Sequence, residues 1–202
     1  MNRRVLQGPL EPEHCKALQH AWTQAANDGY PLNAFITIRP ANNLTPIEHV
    51  QLVNKFWNRL AGWSRRHTPQ RSFHCILTRE AAPNGKNFGI GEHFHALVHV
   101  PPGHFNSLKT AVESWHPEPL EAVVKRANYS IRSTPQGKIR SMLGYLTKQR
   151  SPRAWYLTNY TRKPGGKVLG KRYRISANLR AKPIKFAGDI ISGAKCLKSL
   201  TK

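Results

Sequence analysis

Three histidines alternate with apolar residues between positions 93 and 99, a spacing that is able to hold a metal ion. Side chains alternate between the two faces of a strand, so His93, His95 and His99 point to one side with Leu97, and the residues between them point to the other. Two imidazoles two residues apart lie about 6.5–7 Å apart along the backbone and can converge on one ion. The same pattern also occurs on solvent-facing sheet surfaces, so a metal site requires a further ligand.

A carboxylate is the further ligand expected, and Glu80 and Glu92 are the candidates. Hard ions such as Mg²⁺ and Mn²⁺ prefer oxygen ligands, whereas sites made of histidine alone favour Zn²⁺ or Cu²⁺. Glu92 adjoins His93 and should therefore face the opposite side of its strand, while Glu80 ends the neighbouring strand and could reach across. The spacing favours Glu80 and leaves Glu92 open as the third ligand.

A second group of residues that could take part in a reaction is Tyr145 with Lys148, three residues apart on a predicted helix. Both lie off the apolar stripe of that helix, which consists of Ile139, Met142, Leu143 and Leu146. A phenol is protonated at neutral pH, so a nucleophilic tyrosine needs a cation or a metal-bound phosphate that favours its ionised form. Lys148 is spaced for that role, although an isolated Tyr-x-x-Lys is more often an ordinary solvated helix surface.

The elements that position these residues follow from hydrophobic periodicity and from cap and turn signals. Helices are predicted at 12–27, 46–67, 104–115 and 138–149, strands at 33–39, 73–80 and 91–100, and a strand pair within 121–133. A capping box at 45–48 marks the start of the second helix, and a turn signal at 83–85 favours an antiparallel hairpin. The order predicts an α+β fold, a two-layer sandwich of a central antiparallel sheet covered by helices.

The charge of the chain indicates a polyanionic partner. Thirty-two Lys and Arg against ten Asp and Glu give a formal net charge of +22, and residues 150–202 hold fourteen of the cations and one acid, Asp189. Nucleic acid is the expected partner, although a solvated basic extension would have the same composition.

Three widely spaced cysteines argue against a disulfide framework and favour a cytoplasmic setting. No stretch approaches about 18 apolar residues, so we expect neither export nor membrane insertion.

Taken in order, the segments 33–39 (NAFITIR), 93–100 (HFHALVHV) and 144–148 (GYLTK) resemble the HUH endonucleases, which are named for a His-hydrophobic-His pattern. The resemblance implies an HUH/RRM-like sandwich in which His93, His95 and an acidic or amide side chain hold Mg²⁺ or Mn²⁺. It also implies that Tyr145 attacks a scissile phosphodiester. Some plasmid initiators of this family place an acidic ligand thirteen residues before the first histidine, which is the position of Glu80.

The order of the motifs narrows the resemblance to rolling-circle initiators and single-strand transposases, in which the tyrosine follows the histidines. Initiators with two nucleophiles carry the second tyrosine four residues after the first, and Gln149 occupies that position. A single-tyrosine enzyme is therefore expected. Tyr156 and Tyr160 share the four-residue spacing, but Asn159 stands where Tyr156 would need the accompanying lysine, and the segment has no apolar helical stripe.

The function expected from this resemblance is nicking and joining of single-stranded DNA through a 5′-phosphotyrosine, which initiates rolling-circle replication of a plasmid or phage. The expected partners are single-stranded DNA or an origin hairpin, a separate helicase and a host DNA polymerase. Residues 1–150 would form the nuclease domain with an extra N-terminal helix, and 151–202 a basic C-terminal extension that contacts DNA. The segment 165–171 nearly matches a phosphate-binding loop, but Arg172 replaces the required Ser or Thr.

Two alternatives remain open at this point. One is a single-strand DNA transposase of the same superfamily. The other is a non-catalytic nucleic-acid-binding module, stabilised by zinc on His93, His95 and Cys75.

Overall fold

A computed structural model describes residues 6–40, 44–82, 91–115, 121–127, 142–157 and 165–180, with the backbone alone for 155–157. The helices are α1 (Pro12–Asn27), α2 (Pro46–His67), α3 (Phe105–Ser114) and α4 (Met142–Leu146). The strands are β1 (Leu6–Gln7), β2 (Ala34–Arg39), β3 (Cys75–Glu80), β4 (His93–Val98), β5 (Glu121–Arg126), β6 (Val168–Leu169) and β7 (Tyr173–Ile175). Two short 3-10 helices cover Pro152–Leu157 and Ala177–Leu179.

Five strands form an antiparallel sheet in the order β5-β2-β4-β3-β7, and β1 pairs with β6 apart from it. The predicted hairpin is confirmed, because β3 and β4 pair in antiparallel register. The fold class is therefore the α+β class predicted from the sequence. β7 occupies one edge of the sheet, so the first part of the segment predicted as a basic extension contributes a strand to the main body. Residues 181–202 lie outside the described residues.

Helices cover both faces of the sheet. On one face α2 and α3 bury Phe56, Leu60 and Leu108 against apolar residues of β2, β3 and β4. On the other face α1 packs Leu18 and Trp22 against residues that include Phe35, Ile76 and Leu97. The architecture thus has three layers rather than the two expected, because α1 covers the second face.

A local sequence signal accounts for the start of the long helix α2. The side chain of Thr45 accepts a hydrogen bond from the backbone N–H of Glu48, and the Glu48 carboxylate accepts one from the backbone N–H of Thr45, which completes the predicted capping box of α2. Within the described ranges, no helix has both the length and the apolar character needed to cross a membrane.

Two predicted elements are described only in part. Of the strand pair predicted within 121–133, β5 is present and positions 128–133 lie outside the described residues, as does the predicted turn at 83–85. Of the helix predicted at 138–149, α4 is the described portion, and the chain passes into a turn after Leu146.

Candidate metal centre and its neighbouring tyrosine

The register of two adjacent strands brings one acid and two histidines together. Glu80 pairs with His93 across β3 and β4, and Thr78 pairs with His95. Residues directly opposite in an antiparallel pair point to the same face, so Glu80, His93 and His95 share the face covered by α1. Their ligand atoms all lie within 4.8 Å of one another. This group is able to hold a divalent metal ion.

Hydrogen bonds on the far side of each imidazole orient both rings toward Glu80. The Nδ1 of His93 lies 3.0 Å from the carbonyl oxygen of Gly91, which can only accept, so Nδ1 carries a proton and Nε2 is the ring nitrogen that faces Glu80. The Nδ1 of His95 lies 2.9 Å from the Oγ1 of Thr37, a contact that orients the ring. The two Nε2 atoms lie 3.0 Å and 3.5 Å from the carboxylate oxygens of Glu80. Two imidazole nitrogens and a carboxylate therefore converge.

The electrostatics of the site keep its ligands in metal-binding protonation states. Burial alone would raise the pKa of Glu80, which is 1% exposed, but contacts with His93, His95 and Lys148 outweigh it and hold the pKa well below its usual range. Burial lowers the pKa of His95, more than its contact with Glu80 raises it, and so favours the neutral imidazole. An ionised carboxylate and a neutral imidazole are the forms that bind metal ions.

Three buried atoms of this group lack hydrogen bonds. Both carboxylate oxygens of Glu80 and the Nε2 of His95 have no partner of hydrogen-bonding geometry among the described residues, although they lie within ion-pair distances. Unsatisfied buried polar atoms are uncommon and call for a physical explanation. A divalent ion would satisfy all three, so the donor set fits a bound metal.

Tyr145 and Lys148 of the α4 region lie against this group. The Lys148 Nζ is 2.9 Å from Oε2 of Glu80 and 3.6 Å from the centroid of the Tyr145 ring. The Tyr145 ring meets the His95 ring at 5.1 Å between centroids in an edge-on arrangement. Tyr145 is half-buried and Lys148 is buried, so the ammonium lies between the Tyr145 ring and the Glu80 carboxylate in a partly desolvated setting. The structure thus brings Glu80, His93, His95, Tyr145 and Lys148 together.

Glu92, the other candidate ligand, is used elsewhere. Its Oε1 accepts hydrogen bonds from the Nε and the Nη2 of Arg79, the former at 2.7 Å, and both residues are buried. Adjacent residues of a strand face opposite sides, which separates Glu92 from His93. The structure therefore selects Glu80 as the acidic member of the group.

Cys75 does not join the histidines. It is fully buried among the apolar residues packed under α2, on the face opposite to Glu80. The zinc arrangement with His93, His95 and Cys75 is therefore wrong, because alternation along β3 directs Cys75 and Glu80 to different faces. Tyr160 lies outside the described residues, and of Tyr156 only the backbone is described.

Two further residues that contact the site were not predicted from the sequence. Phe35 of β2 stacks on His95 at 5.2 Å and meets Tyr145 edge-on at 5.7 Å, so it forms an apolar wall beside both rings. Thr37, two residues along the same strand, supports His95. The strand prediction at 33–39 placed both on one face, and that shared face was the signal that could have identified them.

A buried arginine supports the end of β3. The guanidinium of Arg172 donates to the Oε1 of Gln149 at 2.7 Å and to the carbonyl oxygen of Gly166 at 2.6 Å, while the same Oε1 accepts from the backbone N–H of Ala81. Burial lowers the pKa of Arg172 to about 10, so it remains a cation at neutral pH. Gln149, at the position of a second tyrosine in two-nucleophile initiators, is therefore a structural residue here.

The glycines of the near phosphate-binding loop also have a structural role. A Cβ on Gly166 would clash with the carbonyl oxygen of Ala82, and one on Gly165 would clash with Gln149 and Arg172. Close packing next to Glu80 therefore explains these two glycines without a bound nucleotide.

Comparisons of this chain with family models, with curated proteins and with solved structures find no match.

Proposed function

We propose that this chain is a metal-dependent endonuclease of the HUH type that nicks and rejoins single-stranded DNA, with Tyr145 as the nucleophile. One observation carries the proposal: Tyr145 and Lys148 lie against the group formed by Glu80, His93 and His95. The order of the motifs along the chain and the formal charge of +22 also support it. The proposed metal is Mg²⁺ or Mn²⁺, because one carboxylate accompanies the two imidazoles.

Glu80, His93 and His95 would hold the metal, which supplies a Lewis acid for the scissile phosphate when bound. Tyr145 bonds through its phenolic oxygen to the phosphorus, and the bond from phosphorus to the 3′ oxygen breaks. The phenol loses its proton and the departing 3′ oxygen gains one, so the products are a 5′-phosphotyrosine and a free 3′ hydroxyl. Attack by a 3′ hydroxyl on the phosphotyrosine reverses these changes and reseals the strand.

Lys148 would favour the phenolate and offset the negative charge that develops on the phosphate. Its ammonium lies over the Tyr145 ring and beside Glu80, so it is already in place before DNA binds. The Phe35 ring and the buried setting of His95 exclude water from one side of the tyrosine.

We propose that the reaction initiates rolling-circle replication of a plasmid or phage in the cytoplasm. A 3′ hydroxyl is the primer that a host DNA polymerase extends, and a separate helicase would open the duplex. The structural use of Gly165 and Gly166 is in keeping with a chain that does not itself hydrolyse a nucleotide.

The test is cleavage of labelled single-stranded fragments of the replicon with Mn²⁺. The expected result is cleavage by the unaltered protein, none with EDTA, and none with Tyr145→Phe, which removes the nucleophile and keeps the ring. Tyr30→Phe, at the opposite end of the sheet, is the matched control and should cleave normally. Cleavage by Tyr145→Phe would rule out Tyr145 as the nucleophile, and no cleavage by the unaltered protein would favour a non-catalytic nucleic-acid-binding module.

A further inference from the structure

A groove follows the outer side of the edge strand β7, away from the metal-binding residues. It has a volume of about 600 Å³ and lies between His14 of α1 on one face of the sheet and Trp57 of α2 on the other. A second cavity of about 330 Å³ continues it and shares Trp57, Ile175 and Arg180 with it. Two adjoining cavities along one strand form an extended channel, which suits a polymer better than a compact ligand.

The Lys and Arg side chains of this channel meet no acidic side chain among its described lining residues. Lys171, Arg174 and Arg180 line the first cavity, and Arg65 lines the second beside Arg180. Among the described residues that line either cavity, none is Asp or Glu. The Nε of Arg180 donates to the carbonyl oxygen of Ile175 at 3.2 Å, which holds this exposed side chain at the channel wall. The channel is therefore complementary to a string of phosphates.

Flat rings lie between these cations. Trp57 and Tyr173 are both half-exposed in the channel, and His14 packs on Tyr173 with 5.0 Å between ring centroids. Arg174 lies 5.8 Å from the centre of the Trp57 ring. Aromatic rings interleaved with cations are the arrangement by which proteins bind single strands, because bases stack on the rings while phosphates meet the cations.

The channel begins close to the metal-binding group. Tyr173 pairs with Thr78, and Thr78 lies two residues before Glu80 on β3. With strands about 4.8 Å apart and about 3.3 Å per residue, the Cα atoms of Tyr173 and Glu80 are separated by about 8 Å. Tyr173 and Glu80 also share a face of the sheet. A strand bound along β7 can therefore continue to the metal-binding group.

We infer that the channel along β7 binds single-stranded nucleic acid, with phosphates on Lys171, Arg174 and Arg180 and bases stacked on Trp57 and Tyr173. This inference rests on the proposed function in that it assigns the site that holds the DNA beside the point of nicking. An exposed edge strand can also accept a strand from another protein, but the cationic walls favour the polyanion.

The experiment measures binding of an uncleaved oligothymidine in EDTA, so nicking is not required. Lys171→Glu with Arg180→Glu is the test variant, and Lys109→Glu with Lys125→Glu on α3 and β5 is a control with the same change in charge. The expected loss of affinity is more than about 10-fold for the test variant relative to the control. Loss of two phosphate contacts should also lower the slope of log affinity against log salt by about 1.4.

A second readout locates the bases. Oligonucleotides with iododeoxyuridine are crosslinked by light, and mass spectrometry is expected to find the adduct on Trp57 or Tyr173. Equal affinities of the two variants with crosslinks elsewhere would overturn the inference, as would tighter binding of the matching duplex. Failure of the proposed function is distinguishable, because it would appear as absent nicking while binding to the channel persists.

Discussion

Two pairs of histidines lie at opposite ends of the β3–β4 hairpin, and they differ in what surrounds them. His93 and His95 face the carboxylate of Glu80, with 5.0 Å between ring centroids. His74 and His99 are joined by a backbone hydrogen bond of 3.0 Å and have 6.5 Å between ring centroids. Within the described ranges, no third metal-ligating side chain joins the latter pair. The carboxylate, rather than the histidines, distinguishes the two ends.

The second pair shows what histidines do without such a ligand. Tyr30 stacks on His74 at 4.2 Å and meets His99 edge-on at 5.3 Å, while the Nδ1 of His99 lies 3.0 Å from the carbonyl oxygen of Pro31. Burial lowers the pKa of both histidines, so they pack as neutral rings. A histidine pair in a sheet is therefore a packing element unless a buried charge accompanies it.

The largest expected effect is the difference between alanine substitutions in the two histidine pairs. His95→Ala removes a proposed metal ligand and should lower Mn²⁺-dependent nicking by more than about 100-fold, which exceeds the loss usual when a residue that only supports a ligand is removed. His99→Ala removes a ring from the packing pair and should leave Mn²⁺ affinity within about twofold. Calorimetric titration with Mn²⁺ and a nicking assay measure both quantities. Equal loss of Mn²⁺ affinity in the two variants would erase the distinction between the pairs.

Lys148 adds a second difference between the two histidine pairs. Among the described residues, no lysine lies beside His74 and His99 as Lys148 lies beside Glu80. Lys148→Met should lower nicking by about 100-fold, since the cation beside the phenol is lost. Mn²⁺ affinity should not fall, and should rise, because a positive charge 2.9 Å from a ligand oxygen repels a metal ion. The control is Lys109→Met on α3. A parallel loss of metal affinity and nicking in Lys148→Met would instead make Lys148 a structural support.

A smaller effect is expected from Thr37, which pairs with His95 on one side as Thr78 does on the other. The Thr37 hydroxyl contacts the His95 Nδ1, whereas the Thr78 hydroxyl has no hydrogen-bonding partner among the described residues. Thr37→Val should therefore weaken Mn²⁺ affinity by about 10-fold, and Thr78→Val should not. Calorimetry on the two variants decides whether the orienting contact matters, and equal affinities would show that it does not.

The smallest expected effect is on the pH dependence of stability, through His74 of the His74–His99 pair. The pKa of His74 is lowered chiefly by burial and next by His99, against a small opposing influence of Asp28. The unfolded chain then binds more protons than the folded one, so stability is lost as pH falls from about 6.5 through the lowered pKa. His74→Phe keeps the stacked ring and should reduce this loss, seen as a shallower fall of Tm between pH 7 and 5. An unchanged profile would mean that His74 does not contribute.

The sequence predicted which residues come together at the candidate site better than it predicted the residues that support them. Alternation along β4 and the hairpin with β3 favoured Glu80 over Glu92 as the acid that faces His93, because a strand has only two faces, and the structure made the choice. Tyr145 and Lys148 followed from their positions off the apolar stripe. Residue patterns that repeat every two positions in a strand and every 3.6 positions in a helix carry this information.

The supporting residues depend on long-range pairing that local patterns do not encode. Thr37 and Phe35 reach His95 only because β2 lies beside β4. Arg172 and Gln149 meet across 23 positions, and β7 joins the sheet from a segment whose composition resembles a solvated basic extension. No periodicity in the sequence specifies which strands are neighbours, so these contacts required the folded structure.

The most direct measurement is the position of a nucleotide adduct. The protein is incubated with single-stranded fragments of its replicon and Mn²⁺, digested, and analysed by mass spectrometry. The account predicts a 5′-phosphonucleotide on the peptide that contains Tyr145, and its absence when EDTA replaces Mn²⁺. An adduct on Tyr156 or Tyr160, or cleavage without any adduct on the protein, would contradict it.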